Sequence, residues 1–200
     1  LDHQGQVSEG DNRLHAILGN QGPAKFVSSS RIGPALVALD ARLRIVGPGD
    51  EQRLVPAADF FVTPHHADQR ETVLEPDQLL THIILPARDD SFNATYEVGH
   101  GEGPEYPLAA AAASLQISSS GRVEDAMVVL GHVAPTPWIS HEAAQTLVGS
   151  SLSESLAEEA GNAAVLQATP LSNNEYKVQL ARVAVKRAIL RAAGFETGGF

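Results

Sequence analysis

Hydrophobic and polar positions alternate most clearly between Leu43 and Val55. Arginine alternates with apolar residues from Leu43 to Val46, which predicts a half-buried strand. Gly47-Pro48-Gly49-Asp50 reads as a hairpin turn, and Gln52 to Val55 as the returning strand. Later runs predict strands from His82 to Leu85 and from Ala94 to Val98. Leu108 to Ile117 is rich in alanine, which favours helix. The turn signal Ser118 to Gly121 and the returning run Val123 to Val133 decide for a strand, giving a three-stranded antiparallel sheet. A rigid turn with one glycine and two prolines follows, from Gly131 to Pro137.

After Trp138 the period changes. Ser140 is placed to cap a helix on which Ala143, Ala144 and Leu147 share a face. Ser151 and Glu154 have capping-box spacing and open a helix to about Gly161. Ser172 and Glu175 repeat that spacing before a last helix, about Asn173 to Ala193, with Tyr176, Leu180, Val183 and Leu190 on one side. Arg182, Lys186, Arg187 and Arg191 gather in its C-terminal half, where the helix dipole favours cations. Strands first and helices last make an α+β chain. The polar stretch Pro86 to Phe92 marks a boundary, so the expected units are residues 1–87 and 88–200.

Composition narrows the chemistry. The chain has 200 residues and a net charge of −10, which argues against a nucleic-acid partner. It has no cysteine, which excludes disulfides, thiolate catalysis and iron–sulfur ligation by its own residues. The longest apolar run, Leu108 to Leu115, is too short to span a bilayer. The glycine-bearing stretch Gly99 to Pro104 precedes a strand, whereas a phosphate cradle wants a helix N-terminus behind it. It reads as a loop. His65, His66 and Asp68 lack a third ligand at useful spacing and read as a solvated loop. His15 reads as structural. Ser28-Ser29-Ser30 is either a hydroxyl-rich turn facing a ligand or a helix cap. No hydrolase or P-loop motif is present.

Several segments carry a resemblance. GHVAPTPW, Gly131 to Trp138, resembles the GGVAPTPW-like turn of the flavoprotein subunits of molybdenum hydroxylases. That group contains carbon monoxide dehydrogenase, xanthine dehydrogenase and aldehyde oxidoreductases. GDNRLHAILG, Gly10 to Gly19, resembles GDSRYHAILGG. The run through Pro34 to Ala41 resembles HPSDLAPALVALDA, Asp59 to Val62 resembles LADFFVGP, and Glu71 to Pro86 resembles TVLEPGELLTEIRLP. The match runs from about Gly10 to Gly194.

The resemblance implies part of a flavin-binding α/β subdomain, then a three-stranded antiparallel sheet with a helical bundle. It implies an oxidoreductase subunit in the cytoplasm that binds FAD. Electrons would come from a molybdenum cofactor in a large partner subunit, through iron–sulfur clusters in a small one, and leave through FAD to an acceptor. The matching segments place flavin contacts at Gly19 and Asn20, Ser30 with Arg31, and Val73 with Leu74. Three features depart from the family. Its N-terminal, glycine-rich nucleotide-binding subdomain is not seen upstream of Gly10. Its HPSD aspartate falls at Arg31, and a frequent lysine falls at Glu97. The alternative is therefore an assembly module that has lost flavin; a third reading is a small-molecule binder using the loop Gly99 to Tyr106. The departures also predict weak FAD binding and exposed apolar surface on the chain by itself.

Overall fold

The Leu43–Val55 alternation forms the hairpin it predicts. In the computed structural model, which describes residues 1–2, 5–87, 91–101 and 105–197, β1 (Arg42–Val46) and β2 (Gln52–Pro56) pair antiparallel with Leu43 opposite Val55. Gly49 and Asp50 turn the chain with φ of 68° and 61°. β3 (Leu79–Ile84) pairs on the other side of β1, giving the order β2-β1-β3. One face is buried: Leu43 and Ile45 are inside, while Leu54, Leu79 and Ile84 on the opposite face stay exposed. Three short helices accompany this sheet, α1 (Gln6–Glu9), α2 (Gly33–Ala38) and α3 (Ala57–Phe60). Phe60 is buried and meets Phe61 edge-on at 5.3 Å.

The second sheet has four strands rather than three. β4 (Ser91–Val98), β5 (Ala109–Ile117), β6 (Val123–Gly131) and β7 (Trp138–Ile139) lie in that order, all antiparallel. The added strand exists because the proline turn folds back and sets Trp138 opposite Leu130. The alanines of β5 have a packing reason. Ala111, Ala113 and Leu115 join the core beneath the helices, while Ala112 joins the core shared with Leu43, Ile45 and Val37. A strand covered on both faces by close layers needs small side chains, and that context outweighs a helix preference of a few tenths of a kcal/mol.

The helical tail follows the expected order with shifted starts. α4 (His141–Leu147) is capped as expected, Ser140 Oγ accepting from the Ala143 amide at 3.2 Å. α5 (Glu154–Ala163) is capped by Ser153, not Ser151. Ser151 is still extended, bridged to Arg122, so the helix cannot begin there. α6 (Tyr176–Ala192) has no side-chain cap. Ser172 instead accepts from Asn12 Nδ2 at 2.9 Å, and Asn174 Oδ1 accepts from the Leu171 amide at 2.6 Å.

The buried stripe of α6 also differs from the expected one. It runs through Lys177, Ala181, Ala184, Val185, Ala188 and Ile189; of the four residues expected to share a face, Leu190 is buried and Tyr176 is exposed. Small residues are needed because the helix lies against alanine-rich β5 and crosses α5 closely. A Cβ at Gly161 would sit 2.7 Å from the Arg182 carbonyl oxygen. The basic residues reach outward from this helix. Lys186 bonds Glu154 and Glu158 at 2.9 and 3.0 Å, and Arg187 and Arg191 lie over the Tyr96 ring at 5.0 and 4.6 Å. Residues 88–90, at the expected boundary between units, lie outside the described residues.

Candidate functional site

The rigid turn after β6 organises the site. The Val133 carbonyl accepts from the Ile17 and Leu18 amides at 2.9 and 3.0 Å, and the Ala134 carbonyl from the Ser28 amide at 2.9 Å. One turn therefore holds the chain beside two of the three segments in which sequence reasoning placed flavin contacts, Gly19-Asn20 and Ser30-Arg31. The approach is close. A Cβ at Gly19 would lie 3.0 Å from the Trp138 ring, and one at Gly131 would lie 2.6 Å from Pro34 Cγ. Gly19 also has φ of 61°, which glycine adopts without strain.

Asn20 is buried, and its side chain is already engaged. Its amide nitrogen donates to the Ala16 and Thr169 carbonyls at 2.8 and 2.9 Å, and its Oδ1 accepts from Thr169 Oγ1 at 2.5 Å. The backbone differs: among the described residues, neither the Gly19 nor the Asn20 amide donates a hydrogen bond. Ser30 Oγ accepts from the Gly33 amide at 3.0 Å, in the manner of a cap at the start of α2. Arg31 forms a two-pronged ion pair with Glu97, and that carboxylate pushes the guanidinium pKa above its ordinary value. Val73 and Leu74 lie elsewhere, beside α3, with the Val73 amide bonded to the Phe60 carbonyl at 3.0 Å.

Two hollows meet at the short run Phe26 to Ser29, Phe26 facing one and Val27 with Ser29 the other. Phe26 and Leu74 line an open groove of about 620 Å³ with polar walls that include Gln69, Arg70 and Glu75. Val27 and Ser29 line a cavity of about 400 Å³ with Leu14, Tyr106, Leu108, His132 and Lys177. Gly19, Asn20, Ser30 and Arg31 line neither hollow. The glycine-bearing loop reaches the cavity through His100 and Glu105; its residues 102–104 lie outside the described residues.

Sequence reasoning missed Lys177 and His132. Lys177 is 1% exposed, and its Nζ donates to the carbonyls of Leu14, His15 and His132 at 3.0, 3.1 and 2.7 Å. Burial pushes its pKa down to about 8. Its spacing from Ala181, Ala184 and Ala188 was the available signal. His132 stands where the resembling turn has glycine. Its φ is 59°, it is 2% exposed, and its Nε2 has no hydrogen-bond partner. Its pKa is lowered by burial, against the field of Glu97.

Comparison with known proteins decides the family. Residues 18–88 match the FAD binding domain in molybdopterin dehydrogenase, and residues 94–192 match the CO dehydrogenase flavoprotein C-terminal domain. The chain belongs to the molybdopterin dehydrogenase flavoproteins. It is 32% identical over 164 residues to the carbon monoxide dehydrogenase medium chain of Afipia carboxidovorans, covering 80% of this chain and 54% of that one. It is 28% identical over 174 residues to the aldehyde oxidoreductase FAD-binding subunit PaoB of Escherichia coli, covering 87% and 51%. The structure of quinoline 2-oxidoreductase from Pseudomonas putida 86 superposes with a TM-score of 0.72 at 25% identity, covering 96% of this chain and 63% of that one. The chain thus spans about half the length of the curated relatives it matches. In this molybdopterin dehydrogenase flavoprotein, the two departures from the resembling segments, Arg31 and Glu97, form one ion pair. The two positions face each other, with the charges opposite in sign to the aspartate and frequent lysine that the resemblance leads one to expect there.

Proposed function

We propose that this chain is the FAD-holding part of a medium subunit of a cytoplasmic molybdenum hydroxylase, built from two units that meet near residue 87. In this reading it receives electrons from iron–sulfur clusters in a small subunit, downstream of a molybdenum-cofactor large subunit. The observation that carries it is the Gly19-Asn20 turn, set against Val133 and Trp138, with neither amide donating a hydrogen bond among the described residues. Such paired amides suit a diphosphate. Among the described residues, no helix is long and apolar enough to cross a membrane.

The residues present fit the cofactor in part. The Gly19 and Asn20 amides would meet the diphosphate, and Phe26 with Leu74 offers apolar contact for a flat ring along the groove. Bound FAD would supply the redox chemistry, and the protein's share is orientation and field. Arg31 and Glu97 set that field. As a pair they add no net charge, but their polarity is reversed from the family arrangement. The carboxylate would disfavour an anionic ring beside it more than a lysine would.

The second reading, an assembly module without flavin, draws on the same contacts: the Asn20 and Ser30 side chains are already engaged within the protein. Purification of the tagged full-length subunit from its host separates the two. Co-purified FAD together with molybdenum- and iron–sulfur-bearing partners supports the electron-transfer reading. The same partners without flavin support the assembly module. Absence of both overturns the assignment.

A further inference from the structure

The segment between α5 and α6 grips the chain that leads into the Gly19-Asn20 turn. Every carbonyl from Arg13 to Ile17 accepts a hydrogen bond from residues 169–177. Tyr176 Oη donates to Arg13 at 2.9 Å, and Lys177 Nζ to Leu14 and His15 at 3.0 and 3.1 Å. Asn174 Nδ2 donates to His15 and Ala16 at 3.1 and 3.3 Å, and the Thr169 amide to Ile17 at 2.7 Å. Buried carbonyls must find donors, and a neighbouring strand is the usual source. Here one connecting strap supplies them, so the far end of the sequence sets the course of this run.

The strap ends on the turn itself. Asn20 is 2% exposed, and Thr169 meets its carboxamide twice. Asn20 Nδ2 donates to the Thr169 carbonyl at 2.9 Å, and Asn20 Oδ1 accepts from Thr169 Oγ1 at 2.5 Å. The other Nδ2 hydrogen goes to the Ala16 carbonyl at 2.8 Å. Both donors of the carboxamide are thereby used, and its orientation is fixed. Thr169 is exposed, so core packing does not explain a threonine there, whereas Oδ1 calls for a hydroxyl. Asn20 lies in the part that matches the FAD binding domain, and Thr169 in the part that matches the flavoprotein C-terminal domain. The clamp joins the two. Donors that bind a cofactor well are held in direction beforehand by the hydrogen bonds behind them. We propose that Thr169 is a positioning residue for the cofactor: acting through Asn20, it fixes the direction of the Gly19-Asn20 backbone that holds the FAD diphosphate. Thr169 does not touch the cofactor in this role. The proposal rests on the reading of that turn as the diphosphate contact.

The test titrates FAD into the isotope-labelled 200-residue chain and reads Kd from the Gly19 and Asn20 amide resonances. Thr169→Val keeps the shape and removes the hydroxyl. It should weaken Kd by about threefold to tenfold, the scale of one hydrogen bond. Thr169→Ser, which returns the hydroxyl, should restore the wild-type Kd. Tyr176→Phe removes a bond at the other end of the same strap and should leave Kd unchanged. An equal loss in Tyr176→Phe would mean that the strap acts through general stability, and would overturn the proposal. So would a Thr169→Val chain that binds FAD as the wild type does. Should the valine disturb folding, Thr169→Ala repeats the comparison with no added methyl beside Asn20. Wild-type Gly19 and Asn20 amides that ignore FAD would overturn the diphosphate reading and the proposal together. That outcome is distinct from a responsive wild type with an unaffected Thr169→Val, which sinks the proposal alone.

Discussion

Lys177 is the residue whose surroundings make the sharpest prediction. Its ammonium is buried among three carbonyls. Lys177→Met keeps the volume but takes the ammonium donor from the Leu14 and His132 carbonyls, while the His15 carbonyl keeps its bond from Asn174 Nδ2, so unfolding free energy at pH 7 should fall by about 3 kcal/mol in urea titrations. The pH dependence has a definite sign. Its pKa is about 8 in the fold against 10.5 as an ordinary lysine. Below pH 8 both states hold the proton, and the burial penalty is present in full. Between about 8 and 10.5 the unfolded state holds the proton and the fold releases it, so this group's contribution to stability rises with pH. The gap between wild type and Lys177→Met should widen over that window by up to about 3 kcal/mol. Arg31 and Glu97 allow a second test. Arg31→Asp sets two carboxylates face to face, and Glu97→Lys two cations; each alone should lower Tm, and the double change should restore it by rebuilding the pair in the family polarity. At this scale the sequence was only partly readable. The resembling motifs singled out Gly19, Asn20, Ser30 and Arg31 as candidates, but motif spacing cannot show that Asn20 spends its side chain on Thr169 or that Arg31 meets Glu97, 66 residues away. Lys177 was hidden because a lysine in a helical pattern is assigned to the solvent face.

Elements were more legible than their contacts. The β1–β2 hairpin, the β5–β6 pair and the cap of α4 follow from local signals, namely alternation, turn residues and a serine before an apolar period. The face of α6 did not follow, because its period was read from large apolar side chains. The structure buries a stripe with Ala181, Ala184 and Ala188 at its centre, where α6 packs closely against β5 and α5. Gly161 tests this directly. On helix propensity alone, Gly161→Ala should stabilise α5 by about 1 kcal/mol. The added Cβ would lie 2.7 Å from the Arg182 carbonyl oxygen, a backbone atom that cannot swing aside. Overpacking of that kind costs about 1–3 kcal/mol. The clash should win, so Gly161→Ala should lower the denaturation midpoint. A raised midpoint would show that α5 and α6 pack more loosely than described. The start of α5 fails for a related reason: Ser151 fits a capping box locally, but its bridge to Arg122 keeps it extended, and only tertiary pairing reveals that.

For the molecule as a whole, the issue is whether these 200 residues suffice to hold FAD. The surface is acidic, with a net charge of −10, and the diphosphate is itself anionic. The donors within reach are few. Ser30 Oγ is engaged by the Gly33 amide, the Asn20 side chain is bonded to Ala16 and Thr169, and Arg31 is already matched by Glu97. That leaves the two amides of the Gly19-Asn20 turn. Two bonds to a charged group contribute roughly 3–6 kcal/mol, against roughly 8 kcal/mol for a micromolar complex. Association itself costs at least about 4 kcal/mol in lost freedom. Apolar contact with Phe26 and Leu74 offsets part of that cost, but their groove is open and mostly polar-walled. The chain by itself should therefore bind FAD with a Kd weaker than about 10 μM. Isothermal titration of residues 1–200 with FAD measures it. Sub-micromolar binding at one-to-one ratio would show that donors beyond the Gly19-Asn20 turn complete the site within these residues, and that the engaged side chains of Ser30, Asn20 and Arg31 exchange their protein partners for the cofactor.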